Sequence, residues 1–202
     1  MRYIIISTVL NGVNMNIFVL DETPKKSAEY HCDKHVVKMI LESGQMMCAS
    51  HWLHLLGNYY DGEITDFKRV KDIQAWLLEN THPLEQPPWK ISHMRHPCTL
   101  WTNESYSNYM WHWELAKELC AEYTKRYHKV HKSEAVIDWL GKNTPRFMKN
   151  KGMTPHPICM KDEYKLSGVV DSYRNYYIKD KVRFAKWKTR KPEWWPHDNQ
   201  SR

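Results

Sequence analysis

The chain has 202 residues, a length that suits one domain with a buried core. Its formal charge of +7 at pH 7 excludes a net acidic protein and favours polyanionic partners such as phosphate backbones. Ten Trp and twelve Tyr accompany only four Phe, so rings that can stack and also hydrogen-bond are abundant. The five cysteines are scattered and none is spaced as Cys-x-x-Cys, which predicts a reduced, cytoplasmic protein rather than a disulfide scaffold.

The N-terminal residues divide into two parts. Residues 1–14 contain a short apolar run without a cleavage site, and we interpret them as an over-extended gene start or a disordered segment, with Met15 as the true first residue. Residues 16–20 are an Asn followed by four apolar residues, and they predict a short strand or an extended arm. No run approaches the length of a membrane span, so we predict no membrane partner.

The rest of the chain predicts helices joined by loops. Apolar residues recur at helical spacing in five stretches, and capping residues mark several of their ends. The predicted helices are 24–56, with a break near Asp33 and an end at Gly57, 66–79, 96–127, 133–140 closed by Gly141, and 169–184. We therefore predict a mainly α fold, a single helical domain over 15–191 with an aromatic and polar tail at 192–202.

The helix over residues 31–48 carries a candidate catalytic stripe. A helical projection places His35, Lys38 and Glu42 on a polar side, with Gln45, opposite an apolar side. An acid, an amine and an imidazole are thereby brought together. The alternative is a solvated helix face with an ordinary Lys38–Glu42 ion pair. The members of the predicted apolar side are Val36, Val37, Ile40, Leu41, Met47 and Cys48.

The long helix 96–127 carries a candidate base pocket. Trp101, Glu104, Asn108 and Trp111 recur at steps of three and four residues. An acid and an amide between two indoles can hold an unstacked base by edge hydrogen bonds and stacking. The alternative is a core helix whose polar groups are satisfied by backbone or by an arginine such as Arg174.

The C-terminal segment from residue 179 to 195 interleaves basic side chains with rings, a pattern that binds phosphates and stacks on bases. Its alternative is a helix end whose cations favour the helix dipole, with Trp194 and Trp195 docked into the core. The predicted nucleic-acid-binding residues are Arg174, Lys181, Arg183, Lys186, Lys188, Arg190 and Trp187.

Several His and Cys groups invite a metal, among them His31-Cys32-Asp33-Lys34-His35 and His93-x-x-His96-Pro97-Cys98. None of them has a recognised zinc spacing, and twelve histidines in one chain cluster by chance. We therefore predict no metal and no cofactor.

Asp33-Lys34-His35 followed by Glu42 resembles the pyrimidine-dimer DNA glycosylase/AP lyase family, in which an Asp-x-His on the first helix precedes the catalytic glutamate at this interval. The apolar start, the His96-Pro97 opening of an aromatic helix and the Pro-aromatic close at Pro192 are similar to broader relatives. The chain is also similar to short proteins of large-genome phages that share residues 33–39 and the Tyr173-Arg174 pair.

The resemblance implies a function and residue roles. In that family the N-terminal α-amine attacks C1′ of the damaged nucleotide and forms an imine, and the glutamate drives β-elimination. Here Glu42 takes the glutamate's place, and His35 orients phosphate or sugar. The amine comes from Met15, since a starting Met that is followed by Asn16 would normally not be removed, or from Lys38. The implied protein is a cytoplasmic monomer, which would act in the host cytoplasm if it is viral. Its implied substrate is DNA, double-stranded rather than single-stranded.

Two other functions stay open. The family has arginines near its glutamate where this chain has Leu41 and Gln45, so a non-catalytic nucleic-acid-binding viral accessory protein is one alternative. An enzyme acting on nucleotides or modified bases through Glu104 and Asn108 is the other.

Overall fold

The computed structural model describes residues 15–196, so residues 1–14 and 197–202, and the predictions made for them, lie outside the described part. Residues 15–196 contain helices and no strand, which confirms a mainly α single domain. The seven α-helices are α1 (Pro24–Tyr30), α2 (Asp33–Tyr59), α3 (Val70–Asn80), α4 (Pro97–Glu104), α5 (Tyr106–Tyr127), α6 (Glu134–Lys142) and α7 (Val169–Tyr176). Short 3-10 turns cover Ile64–Asp66, Pro83–Glu85 and Asp162–Tyr164.

The N-terminal segment 15–20 is an extended arm rather than a strand, and every residue in it is buried. Backbone N–H and C=O groups of the arm form hydrogen bonds with side chains instead of with a neighbouring strand. Leu20 N donates to Ser27 Oγ at 3.0 Å, and Ser27 Oγ donates to Phe18 O at 3.1 Å. Arg174 Nε donates to Leu20 O at 2.9 Å, so α1 and α7 together hold the arm.

The predicted break near Asp33 is confirmed, because α1 ends at Tyr30 and α2 begins at Asp33. Thr23 caps α1 by accepting from Lys26 N, and Pro24 occupies the first turn. The predicted end at Gly57 is wrong, since α2 continues to Tyr59. A glycine inside a helix lowers its propensity without ending it when the neighbouring turns are packed.

The predicted helix 96–127 is interrupted at Ser105, which is extended with φ −148° and ψ 145°. Ser105 Oγ donates to Gly152 O at 2.8 Å and accepts from Lys151 N at 3.0 Å. The serine therefore binds the backbone of a distant loop instead of continuing the helix. His96 caps α4 by accepting from Cys98 N through Nδ1.

Three further boundaries differ from the prediction. Helix α6 runs through Gly141 to Lys142, so Gly141 does not close it. Helix α7 ends at Tyr176 and continues as a π-helix over Tyr177–Lys181, a wider geometry that occurs frequently at functional sites. The helix predicted at 66–79 starts four residues later, at Val70, after a 3-10 turn.

The core has two parts along α2. The main cluster contains the arm and the inner faces of α2, α4, α5, α6 and α7, and the second contains the C-terminal half of α2 with α3. Trp195 is 8% exposed and belongs to the main cluster, so the start of the predicted tail packs on the domain. Among the described helices, none combines the length and apolar character that crossing a membrane requires.

Candidate functional site

Helix α2 buries part of the side that the sequence predicts to be polar. Four residues of the predicted apolar side are buried as predicted, namely Val36, Ile40, Met47 and Cys48, whereas Val37 and Leu41 are exposed. On the predicted polar side, Lys38 is exposed as predicted, whereas His35 and Glu42 are buried. The reason is the arm, which covers this face: the Phe18 ring stacks on the His35 ring with centroids 4.5 Å apart. A helical projection cannot include a cover supplied by another segment, so this part of the prediction is wrong.

Glu42 is a buried carboxylate with only one well-formed partner among the described side chains. Its side chain is 7% exposed, and Lys38 Nζ donates to Oε1 at 2.8 Å. Its Oε2 is buried and makes no well-formed hydrogen bond within residues 15–196. Burial raises the pKa of Glu42, while Lys38, the Asn16 backbone N–H and His93 act in the opposite direction. A buried polar atom left unsatisfied in this way is a candidate for function.

Both positions predicted to supply the amine lie near this carboxylate. Lys38 pairs with it directly, and its side chain is half exposed. Met15 precedes Asn16, whose backbone N–H approaches the carboxylate, and Met15 itself is 7% exposed. The structure therefore brings together the acid and the two amine positions predicted from the sequence.

His93 lies near Glu42, and the sequence suggests a role for it only as a metal ligand. It is exposed, and its positive form lowers the pKa of Glu42. Its φ of 53° lies in the left-handed region, which costs energy for a residue with a Cβ. Strained residues cluster at functional sites, but nothing in one sequence marks this backbone conformation.

His35 has a different place from the predicted one. Its Nδ1 hydrogen-bonds to the Tyr177 hydroxyl, and its ring also packs edge-on against Phe184. Burial lowers the pKa of His35 well below the usual value, with the nearby charges acting in the same direction. The imidazole is thus a neutral core group, and the predicted contact with phosphate or sugar would require it to leave its packing.

Three of the predicted nucleic-acid-binding residues are engaged inside the fold. The Arg174 guanidinium lies over the Tyr30 and Trp194 rings and pairs with Asp21. Lys181 is buried and donates to the Tyr176 hydroxyl at 2.9 Å. Trp187 Nε1 donates to Tyr30 O at 3.0 Å, and its ring packs against Trp195. These contacts make the three residues internal supports of the C-terminal segment.

The remaining predicted cations are exposed. Arg183, Lys186 and Lys188 lie next to the start of α2, and Arg190 pairs with Glu193. Asp33 N donates to Lys186 O at 2.8 Å, and Lys188 N donates to Asp33 Oδ1 at 3.1 Å. Lys34 Nζ lies 5.2 Å from the centre of the Phe184 ring, which Arg183 also approaches. We name these exposed residues together the basic surface: Lys34, Lys38, Arg183, Lys186, Lys188 and Arg190.

The predicted base pocket is filled by this chain's own loop. Asn108 is fully buried, donating to Trp101 O and Thr154 Oγ1 and accepting from Thr154 N. The exposed Glu104 accepts a hydrogen bond from the Thr154 hydroxyl. The centre of the His156 ring lies 4.6 Å from that of the Trp101 ring and 6.2 Å from that of the Trp111 ring. A histidine of the chain therefore occupies the neighbourhood that a base would need, and the four residues are structural.

A separate cavity of about 540 Å³ opens between the end of the arm and α7. Three acids in its lining disfavour a phosphate group, and Arg174 there already pairs with Asp21. Neither Lys38 nor Met15 lines it. The lining residues are Asp21, Glu22, Gly168, Val169, Val170, Asp171 and Arg174.

Comparison with protein-family models, with curated proteins and with solved structures finds no match for this chain. The likeness to the glycosylase family therefore rests on the motif residues alone. What bears on function is the placement of Glu42, its two amine neighbours and the basic surface.

Proposed function

We propose that this chain is a DNA-binding repair enzyme of the pyrimidine-dimer DNA glycosylase/AP lyase type, which cleaves through an imine with Glu42 as general acid/base. The observation that carries the proposal is the buried Glu42 carboxylate, whose Oε2 has no well-formed hydrogen bond within residues 15–196, beside the Lys38 amine and the Met15–Asn16 backbone. A carboxylate in this position is costly for the fold and useful for proton transfer.

The chemistry needs an amine and a base at one place. A neutral amine adds to C1′ of the ring-opened sugar, and loss of water gives the imine. Glu42 then removes a proton from C2′, and the electron pair expels the 3′ phosphate. Burial raises the pKa of Glu42, which brings a carboxyl closer to the pH at which it can both take and return a proton. A free α-amine at Met15, with an ordinary pKa of about 7.7 to 8.0, would be neutral in roughly a tenth or more of the molecules at pH 7, far more than an ordinary lysine.

The basic surface gives this site its proposed substrate. Lys34 and Lys38 lie one helical turn apart on α2, between the C-terminal cations and Glu42. Their charges and those of the C-terminal segment would neutralise phosphates along a DNA backbone. We accordingly propose duplex DNA as the partner, bound by one copy of the chain, with the target nucleotide extruded toward Glu42.

Borohydride trapping on a duplex with one abasic site tests the enzyme. The wild-type chain is expected to form a covalent adduct and to cleave the strand. Glu42→Gln should slow β-elimination by about 10²-fold or more, the usual contribution of a general acid/base. The matched control is Glu114→Gln, an exposed carboxylate on α5, which should behave as wild type. If the wild-type chain forms no adduct and Glu42→Gln behaves like the wild type, the enzyme proposal is wrong.

The exposure of the C-terminal cations favours a second candidate, a non-catalytic nucleic-acid-binding protein. In that case duplex binding depends steeply on salt and is unchanged in Glu42→Gln. Replacing Lys186, Lys188 and Arg190 by Gln should lower the salt slope by roughly 0.9 for each phosphate that these side chains no longer neutralise.

The control for this triple variant carries three exposed lysines from the α3 side of the molecule, also changed to Gln: Lys68, Lys71 and Lys90. It removes the same net charge without touching the basic surface. Equal salt slopes for the two triple variants would mean that the basic surface does not bind the DNA.

A further inference from the structure

Two distant segments bring three metal-binding side chains together in the core. His96 caps α4 and Cys98 lies in its first turn, while Cys159 comes from the loop before the Asp162–Tyr164 turn. One ring nitrogen of His96 and the two Sγ atoms all lie within 4.8 Å of one another. Cys98 Sγ and Cys159 Sγ are 3.7 Å apart.

These distances fit a tetrahedral metal centre. Two thiolates bound at about 2.3 Å with a tetrahedral angle between them have sulfur atoms about 3.8 Å apart, which is close to the spacing of the two Sγ atoms. An imidazole nitrogen at about 2.0 Å would lie about 3.5 Å from each sulfur, so a nitrogen at the 4.8 Å limit would need to move by about 1.3 Å.

The surroundings leave these ligand atoms poorly satisfied. His96 is 5% exposed, its Nδ1 accepts from Cys98 N, and its Nε2 is buried without a well-formed hydrogen bond within residues 15–196, although the Met15 backbone lies near the ring. Metal binding through Nε2 would move the ring proton to Nδ1 and break the bond from Cys98 N. The contact between the two thiols is long and weak. A buried imidazole nitrogen and two sulfurs that point at one another have no other partner of comparable strength in the described structure.

The charges also suit a divalent cation. His and Cys bind a metal as a neutral imidazole and as thiolates. Two thiolates 3.7 Å apart would repel each other unless a cation joins them. Two thiolates, a neutral imidazole and a divalent ion have no net charge, which a buried site tolerates.

We propose that His96, Cys98 and Cys159 form a binding site for a thiophilic divalent cation, above all zinc. Nitrogen and sulfur ligands select zinc over magnesium or calcium, which prefer oxygen. Binding releases the thiol protons, up to two for each ion, and forms two metal–sulfur bonds and one metal–nitrogen bond. Three protein ligands leave a fourth position, and Asn16 Oδ1, 3.8 Å from Cys98 Sγ, is placed near it.

The site would tie three parts of the molecule together. Asn16 accepts from the Tyr173 hydroxyl at 2.6 Å, and its Nδ2 donates to Cys159 O at 2.7 Å. The metal would thus fix the arm to α4 and to the loop that holds Cys159. This inference stands on the ligand geometry and is independent of the proposed repair activity.

Cobalt titration of the reduced, metal-free full chain tests the proposal. One equivalent of Co²⁺ should produce thiolate-to-cobalt charge-transfer absorption and the intense d–d bands of a tetrahedral site, and one equivalent of Zn²⁺ should remove both. Zn²⁺ should also release protons to an indicator dye from the wild-type chain. If no charge-transfer band appears and Zn²⁺ releases no protons, the proposed site is wrong. This result does not depend on the folding of any variant.

Variants identify the ligands. Cys159→Ser, at a half-buried loop position, should lose the charge-transfer band and weaken Zn²⁺ binding by at least 10-fold, the loss expected for one ligand or its support. Cys120→Ser, a buried thiol on α5, is the control and should bind as wild type. A zinc-induced rise in melting temperature that Cys159→Ser retains in full would contradict the assignment.

Discussion

Glu42 and Lys38 lie one turn apart on α2 and differ sharply in exposure, the Lys38 side chain being 50% exposed and the Glu42 side chain 7%. The lysine can reach solvent or a ligand while it pairs with the acid. The carboxylate, in contrast, loses hydration, and its Oε2 has no well-formed hydrogen bond in the described part of the chain. Natural sequences keep such costly groups where function requires them, which is why Glu42 is central to the proposal.

Replacing Glu42 by Gln should therefore raise stability while it removes activity. Burial raises the folded-state pKa of Glu42 above its unfolded value, so the charged form costs stability at pH 7, and this cost falls away as the pH drops through the folded pKa. We expect a higher melting temperature for Glu42→Gln at pH 7 and no change for Glu114→Gln. A clearly lower melting temperature would show that the Lys38 pair outweighs desolvation.

At the scale of elements, local signals predict what depends on local chemistry. Thr23-Pro24 marks the start of α1, and Asp33 marks the start of α2. The interruption at Ser105 depends on Gly152, 47 positions away, and no local pattern contains that partner. Gly141 resembles a stop signal in the sequence, although it lies inside α6 where that helix meets the Trp113 ring.

Gly141 should be required for the packing of α6 on α5. A Cβ at this position would meet the Trp113 ring at 2.3 Å, and that ring is held by the bond from its Nε1 to Ile137 O. We expect Gly141→Ala to destabilise the fold by about 1–3 kcal/mol through overpacking. The control is Gly57→Ala in α2, where a Cβ meets nothing within 4 Å.

The control variant should gain up to about 1 kcal/mol, since alanine is the better helix former. Urea unfolding of both variants measures the difference. Equal midpoints for Gly141→Ala and wild type would mean that Trp113 can move aside, and the close approach of the two helices would then not constrain the sequence.

For the whole molecule, the sequence predicts the candidate site better than the surfaces around it. Glu42, Lys38 and Met15 meet because the arm precedes the first helices and folds back over α2. The predicted base pocket is closed because Thr154 and His156, from a loop far along the chain, fill it. Long-range packing of this kind leaves no periodic trace, and the same holds for the approach of Cys159 to Cys98.

Buried neutral histidines should make the whole fold acid-sensitive. Burial lowers the pKa of His31 and His51 to about 4 and that of His112 to about 3. The unfolded chain takes up protons at these residues from about pH 6.5 downward, whereas the folded chain does not. Stability is therefore lost between about pH 6.5 and 4, by about 2 kcal/mol for each histidine at about pH 5.

Urea unfolding between neutral pH and about pH 5 measures this loss. His112→Asn should reduce the dependence of the unfolding free energy on pH, while His128→Asn, at an exposed position, should leave it unchanged. A free energy of unfolding that stays constant over that range would contradict the neutral burial of these imidazoles.

The proposed chemistry requires an amine beside Glu42 to attack the sugar, so the position of a trapped adduct decides whether Glu42 and its neighbours form an active site. The wild-type chain is mixed with an abasic duplex and borohydride, which reduces the imine, and the trapped complex is then digested. Mass spectrometry identifies the peptide that carries the sugar. We predict one adduct, on Lys38 or on the α-amine of Met15, with a yield that falls in Glu42→Gln. An adduct spread over surface lysines, or located away from α2 and the arm, would contradict the proposed chemistry.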